Sequence, residues 1–419
     1  MLKVAKFGGS SLADAAGFMR VRDIVRADPA RRVVVLSAAG KRHPSDHKLT
    51  DLLYLCHAHL QYGVSCHALW RRICDRYLAI RDALGLHTPL EEEMESLYAS
   101  FSPAVGRDFL ASRGEYFSAR LMADYLGFSF VDAKDWLRFD YSGAVLEEES
   151  YALLAEAADG RCIVTPGFYG ALPDGTIHTF SRGGSDVTGA LAAAALHADL
   201  YENWTDVPGI LAADPRIAEN PAPIPLMSYH QMELLSGVGT QVLHESAVAP
   251  VRQAGIPLQI RSTLEPEKAG TMICSQSAQG SEPDVLAFAG RRKLAMFCLS
   301  GQGVDLETVS EALRRAGVSV FADCRTPGQL TCLVESGDVR TLRAAAETLS
   351  SQAEKFSMKE DLCVLAVLHT EEARLSIILR ALTAAEIPVF HVLRQPPLTL
   401  LLVPDERYEA ALRAAYTAQ

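Results

Sequence analysis

No apolar run in this sequence approaches the roughly 20 residues that a helix needs to cross a bilayer, so a helical membrane span is excluded from its readings. Paired cysteines are missing too: the nine cysteines are scattered, odd in number and contain no C-x-x-C. They read as free thiols of a reducing cytoplasm rather than as a disulfide framework. The most crowded stretch, CHAHLQYGVSCHALWRRIC, holds Cys56, His57, His59, Cys66, His67 and Cys74 but lacks the paired spacing of structural zinc, and no metal site is expected there. Positive charge is the minority sign. With 40 Lys and Arg against 51 Asp and Glu, the formal net charge is −11, which argues against nucleic acid or an anionic membrane as the main partner. A local cluster of cations and N–H groups can still bind a nucleotide. There is no G-x-x-x-x-G-K-[ST] and no G-x-G-x-x-G after a strand, which disfavours P-loop and dinucleotide-binding readings. The opening MLKVAKFGG shows neither the apolar core nor the cleavage site of a signal peptide, and a cytoplasmic protein is expected.

What is present is material for full cores: 419 residues, 49% of them hydrophobic, enough for two or three domains. LKVAKFGG and RRVVVLSAAGKR each run from continuous apolar residues into a small-residue loop, as strands buried on both faces of a parallel sheet do. FSFVDA, CIVTPGFYG and ADLYENWTD follow the same plan, while residues 49–95 and 113–126 place apolar residues at three- and four-residue intervals and read as helices. In an open parallel sheet ligands lie beyond the carboxyl ends of the strands, where these loops fall. Residues 262–290 are rich in Ser, Glu, Gln, Gly and Pro, apart from the apolar Thr271–Cys274, and read as the end of a first domain plus a linker. After them a β-α-β-β-α series runs from KLAMFCLSG to DVRTLRAAAETLS, and again from DLCVLAVLHT to ERYEAALRAAYTA. Two such units of about 60 residues suit ligand sensing better than catalysis.

Two glycine-bearing stretches carry chemistry. KFGGSS, Lys6 to Ser11, offers N–H groups and two hydroxyls to phosphate oxygens, with Lys6 to neutralise charge; a tight strand-to-helix turn accounts for the same letters. In TFSRGGSDVTGALAAAALHADLYENWTD, Gly183 and Gly184 let the backbone approach a ligand closely, and the helix start that follows favours an anion. Arg182 adds a fixed cation and Asp186 a carboxylate able to hold a metal. Together they describe a place for phosphate, magnesium and a negatively charged small molecule.

Six blocks occur in one order: KFGGSS, VVVLSAAGK, SRGE, SRGGSDVTG, WTDVPGILAADPR and GVGTQVLHESAVAPVRQAGIPLQIRS. That series closely resembles aspartate kinase, of the amino acid kinase superfamily, over essentially the whole chain, since that family also ends in paired ACT domains. The resemblance implies an α/β fold: a three-layer αβα sandwich with a largely parallel sheet at 1–278, a linker at 279–290, and two ferredoxin-like βαββαβ ACT units at 291–358 and 359–419. It also implies transfer of the ATP γ-phosphate, with Mg2+, to the side-chain carboxylate of L-aspartate, giving 4-phospho-L-aspartate on the way to lysine, threonine and methionine. A carboxylate nucleophile, with a reference pKa of about 3.9, is already ionised at pH 7. No general base is then required; the enzyme must bring two anions together and stabilise charge on the transferring group.

Matched motif by motif, the resemblance puts Lys6, Gly8, Gly9 and Ser10 on the phosphates, with Gly183, Gly184 and Ser185 alongside. Asp186 would arrange the metal or Lys6. Arg182 would hold a substrate carboxylate, Glu115 the ammonium group, and Ser37 and Thr50 would add hydroxyls. From the residues alone, Glu115 reads first as an exposed helix glutamate paired with Arg113 or Arg120, and Thr50 as the N-cap of DLLYL. The nucleotide block holds Thr205, Asp206, Leu211, Asp214, Arg216, Gln241 and Val242. Leu211 stands where many relatives carry tyrosine and Gln241 where many carry lysine, so a cation is missing; weaker ATP affinity, or a compensating cation such as Arg252 or Lys268, is expected. In the first ACT unit Gly301 and Gly303 could expose N–H groups to a lysine or threonine effector, whereas VLHTEEAR in the second carries two acidic residues, so one effector loop per chain, or none, is expected. A homodimer is expected. Another amino acid kinase, such as glutamate kinase, and a degenerate kinase acting as an amino-acid sensor are the alternatives. The ACT pair with Glu115 and Arg182 favours aspartate, and Lys6, Arg182 and Asp186 favour a working enzyme.

Overall fold

The computed structural model describes the chain except for residues 182, 241–242, 244–246, 276–282, 302–304, 336–338, 352, 370 and 419. It divides into two compact units, one of Met1–Ile210, Pro223–Tyr229 and Val242–Pro283, the other of Leu211–Ala222, His230–Gln241 and Asp284–Gln419. Among the described residues no helix is long and apolar enough to cross a membrane.

The first unit is built on an eight-stranded sheet. Its strands are β1 (Lys3–Phe7), β2 (Arg31–Leu36), β3 (Ser129–Phe130), β4 (Ile163–Pro166), β7 (Leu200–Thr205), β8 (Leu226–Ser228), β9 (Leu258–Ser262) and β10 (Thr271–Cys274), in the order β3-β4-β2-β1-β7-β9-β10-β8. All neighbours are parallel except β9 and β10. The continuous apolar runs are buried on both faces, as expected of a parallel sheet: Val4, Ala5, Phe7 and Val33 to Leu36 are all closed to solvent. On one face Ala5, Phe7, Val34, Leu36 and Trp204 pack with residues of α1 (Ala15–Arg26), α2 (Leu49–Gln61), α3 (His67–Ala83), α4 (Leu90–Ala99) and α5 (Arg107–Leu126). The short α6 (Ala133–Trp136) leads to α7 (Glu147–Ala158), which packs on α8 (Gly184–Ala195). α8 lies on β1, β7 and β2. Its small residues are required there, since a Cβ on Gly189 would lie 2.6 Å from the Tyr201 hydroxyl. β5 (Tyr169–Ala171) and β6 (Ile177–Thr179) form a separate hairpin that runs into the start of α8. α10 (Ala249–Gln253) completes this unit, whereas α9 (Tyr229–Gly237) belongs, from His230 on, to the second. Thr271–Cys274, the apolar piece inside the stretch read as domain end, is a strand of the main sheet.

The second unit is one six-stranded antiparallel sheet in the order β12-β13-β11-β14-β16-β15. Two strands are long, β11 (Ala287–Ser300) and β14 (Lys355–Leu368); the others are β12 (Val320–Thr326), β13 (Gln329–Glu335), β15 (His391–Gln395) and β16 (Leu398–Pro404). Their helices are α11 (Leu306–Arg315), α12 (Val339–Ser350), α13 (Glu372–Ala384) and α14 (Tyr408–Thr417). The two long strands pair along their whole length, Ala287 to Arg291 against Leu368 to Val364 and Leu294 to Ser300 against Leu362 to Lys355. Register shifts flank Leu294, and Lys293 and Asp361 have positive φ of 60° and 54°. Each long strand therefore serves one repeat with its first half and the other with its second. Residues 287–290, within the stretch read as a linker, belong to β11. Each repeat keeps its own core, Phe297, Leu313 and Leu349 in one and Leu365, Leu382 and Leu412 in the other. Ala213 and Ala218 of the segment Leu211–Ala222 join the second core, the Ala222 N–H donates to Tyr416 Oη at 2.9 Å, and the Phe288 N–H donates to the Ala212 carbonyl at 2.7 Å.

Candidate active site

β1, β2 and β7 are adjacent and parallel, so their carboxyl ends deliver Gly8, Ser37 and Asp206 to one edge of the sheet. Lys6 and Asn203 are register partners on β1 and β7 and point their side chains toward α8. There Lys6 Nζ lies 2.5 Å from Asp186 Oδ1, and Asn203 Nδ2 donates to the same oxygen at 2.8 Å. The Tyr201 hydroxyl donates to the Asp186 carbonyl at 3.0 Å. Asp186 sits in the first turn of α8, whose N-cap, Gly183, has φ of 59°, a conformation that favours glycine. Lys6 is buried, and its ammonium is the atom nearest a Cβ built on Gly8, at 3.6 Å. A buried cation thus stands beside the first glycine loop, held by a carboxylate that an amide in turn orients.

That loop is fastened to the one after β2. The Gly40 N–H donates to the Gly9 carbonyl at 2.7 Å, and a Cβ on Gly40 would lie 2.4 Å from that oxygen. Arg76 of α3 secures the second loop from below: it pairs with Asp46 at 2.7 Å and donates to the carbonyls of Gly40 and Ala13. The Arg42 guanidinium beside Asp46 holds that carboxyl far below its usual range. Between the two loops opens a cavity of about 570 Å3 lined by Gly9, Ser10, Ser37, Gly40, Thr50, Glu115 and Asp206 among others, with Lys41 and Lys48 on its wall. Glu115 is 4% exposed, and among the described residues its Oε2 has no hydrogen-bond partner. Burial pushes its pKa from 4.5 up to about 8, against the opposing hydrogen bonds of its own and the Ala38 backbone.

Six of the expected residues, Gly9, Ser10, Ser37, Thr50, Glu115 and Asp206, share this cavity; Lys6, Gly8 and Asp186 adjoin it. Gly184 and Ser185 are buried at the start of α8, and Thr205 donates to Asp206 at 3.1 Å. The surface reading of Glu115 does not hold: Arg120 pairs with Glu93, and Arg113 bonds Ser112. Nor is Thr50 an N-cap, because α2 already begins at Leu49 with Lys48 preceding it. Leu211, Asp214 and Arg216 belong to the second unit, where Arg216 donates to Asp214 at 2.7 Å. Lys268, one of the two candidate compensating cations, pairs with Glu265. Arg182, Gln241, Val242 and Gly303 lie outside the described residues, while Gly301 has φ of 146°. Asn203 and Gly40 were not anticipated; the one polar residue facing α8 from LYENWT and the glycine ending LSAAG were the signals available. Of the crowded cysteine stretch, Cys56 and Cys66 are buried in the core and Cys74 packs against it, with burial raising the Cys56 thiol to about 12, whereas His67 is exposed.

The residue set fits a metal brought by phosphates better than a resident ion. Asp186 Oδ1 is shared by Lys6 and Asn203, and among the described residues no three His, Cys, Asp or Glu side chains converge.

The amino acid kinase family model matches residues 1–262. Aspartokinase 3 of Bacillus subtilis (strain 168) is 37% identical over 300 residues, 68% of this chain and 66% of that protein. Lysine-sensitive aspartokinase 3 of Escherichia coli (strain K12) is 32% identical over 321 residues, 71% of this chain and 69% of that protein. The match thus spans about two thirds of these curated relatives. Among solved structures, aspartate kinase of Clostridium acetobutylicum superposes with a TM-score of 0.88 at 32% identity, covering 100% of this chain and 99% of that one. Aspartokinase III of E. coli in complex with aspartate and ADP superposes with a TM-score of 0.74 at 25% identity, covering 100% and 99%.

Proposed function

The chain belongs to the amino acid kinase family and, within it, to the aspartokinases, and on that premise we propose that its cavity transfers the ATP γ-phosphoryl group to the side-chain carboxylate of aspartate. The observation that carries this reading is the buried Lys6 paired with Asp186, whose carboxylate Asn203 orients, beside a glycine loop whose neighbouring cavity contains a buried, half-satisfied Glu115. Gly8, Gly9 and Ser10 present backbone to the phosphates, and Lys6 meets the charge that spreads over the transferring group. Asp186 fixes the Lys6 ammonium and removes no proton, because the acceptor carboxylate is already ionised. Glu115 receives the aspartate ammonium, Ser37 and Thr50 line the same wall, and Arg182 takes a carboxylate. Magnesium carried on the nucleotide would be held by Asp186 and would supply charge neutralisation. Thr205 and Asp206 form the nucleotide end. The six-stranded unit is regulatory: a relative is named lysine-sensitive, and lysine or threonine at the Gly301 loop is the effector class proposed here. The chain acts in the cytoplasm as a homodimer.

The test is a hydroxamate assay for acyl phosphate with Mg·ATP and aspartate, repeated with glutamate. Aspartate-dependent product with at least a hundredfold preference over glutamate is expected; no product, or equal rates, overturns the reading. Calorimetry with lysine and threonine is expected to give at most one site per chain, and two per chain would refute the single-loop assignment.

A further inference from the structure

The first unit has a second cavity, of about 550 Å3, between the first turn of α5 and the β5–β6 hairpin. Its wall includes Arg113, which is only 7% exposed. The guanidinium is bonded to neutral atoms alone: Nε and Nη2 donate to Ser112 Oγ at 3.2 and 2.9 Å, and Nε donates to the Phe109 carbonyl at 3.3 Å. The rings of Phe109, Tyr116 and Tyr169 surround it at 4.7, 4.5 and 5.7 Å. Among the described residues Arg113 forms no ion pair: Glu115 feels its charge without contact, and the aspartates around it are engaged elsewhere. Asp108 accepts from the Thr179 N–H at 3.0 Å and faces His178 Nδ1 at 3.6 Å; Asp132 accepts from the Tyr169 hydroxyl at 2.7 Å; Asp135 pairs with Lys134 at 2.5 Å. A buried cation with no direct ion-pair contact is costly, and an incoming anion lowers that cost. The same wall contains the start of α5, a helix of 20 residues whose N-cap is Gly106 and which no side chain caps.

We propose that this cavity binds a small monocarboxylate with an apolar body. The carboxylate meets the fork of Arg113 and the uncapped first turn of α5, and the apolar body lies against Phe109, Leu172 and Ile177. Asp108 in the same wall repels a dianion, which selects against inorganic phosphate. The volume falls within the range of about 300–1,000 Å3 usual for small-molecule sites. This is a different site from the acceptor cavity: Glu115, two residues along α5, points about 200° away from Arg113 around the helix and lines the other one. The hairpin that supplies Leu172 and Ile177 continues directly toward Asp186, so occupancy ties that strand pair to α5.

The experiment is titration calorimetry of the full chain with 3-methylbutanoate and benzoate, their neutral amides, and inorganic phosphate. One saturable site per chain is expected for the acids, with amides and phosphate at least tenfold weaker. Arg113→Gln is expected to weaken acid binding at least tenfold. Should that variant fail to fold, Leu172→Trp, which fills the cavity from the hairpin, is expected to give the same loss. Acid binding should persist in the presence of saturating aspartate. Equal affinity for acid and amide, no loss in the folded variants, or competition with aspartate would each overturn the proposal.

Discussion

Glu115 sits where its charge is expensive, and its burial gives two opposed expectations. Its folded pKa of about 8 lies above the unfolded 4.5, so between those values the native state binds the extra proton. The stability this gives is complete below about pH 4.5 and is lost as pH rises through about 8. Glu115→Gln should therefore raise stability by roughly 2–4 kcal/mol when measured by urea unfolding at pH 8.5. The same change should raise the aspartate KM at least tenfold, since the ammonium loses its partner; a variant that is neither stabilised nor impaired would contradict both. In the wild type, kcat/KM for aspartate should climb toward tenfold per pH unit below about pH 8 and level off above it, as the free enzyme's Glu115 ionises. Lys6→Met should cut kcat by about 10²–10³, the range for losing one preorganised charge-stabilising group. Retained kcat with a normal fold would remove Lys6 from the mechanism. Lys6 and Asp186 were legible because each lies next to paired glycines, whereas Asn203 was not. Its place beside Asp186 follows from the pairing of Lys6 with Asn203 across β1 and β7, which an isolated strand sequence does not reveal.

At the level of elements, the site is two strand-tip loops in backbone contact. The sequence showed that β1 and β2 each end in small residues, but not that Gly9 and Gly40 would meet, because that depends on adjacent parallel strands ending at the same level. A Cβ on Gly40 would meet the Gly9 carbonyl carbon at 2.5 Å and the Ser10 nitrogen at 2.8 Å, all backbone that cannot swing aside. Gly40→Ala should therefore separate the loops and lower kcat/KM for ATP by about a hundredfold, the cost that a misplacement of about one ångström can carry. Wild-type kinetics in this variant would show that the loop contact is dispensable. The clamp on that loop was equally hidden: Arg76 lies 30 residues from Asp46 in sequence, on a helix whose pattern speaks only of its apolar face. Arg76→Met removes the buried one of Asp46's two guanidinium partners, leaving Arg42, and should cost about 1–3 kcal/mol in urea unfolding.

Across the whole molecule, the repeat of β-α-β-β-α was legible from periodicity, yet the way the copies join was not. Residues 279–290 read as a linker from their polar beginning, whereas the backbone carries Ala287 to Gly290 on as the first half of β11, with Lys293 and Asp361 in the left-handed region where the long strands change partners. Neither repeat then has four strands of its own. The repeat holding Leu401 borrows Ala287–Arg291 from the chain ahead of the other repeat, and the repeat holding Leu299 borrows Lys355–Leu362. Because every core residue on β11 or β14 supports a sheet that both repeats share, the pair should unfold as one body. Leu299→Ala in one core and Leu401→Ala in the other, both sites closed to solvent, should each lower one common transition by about 2–5 kcal/mol, the usual cost of such a truncation. Hydrogen exchange followed on β13 and β16 reports the two repeats separately. If Leu299→Ala speeds exchange on β13 while β16 keeps its wild-type protection, the repeats are independent modules and strand sharing does not couple them.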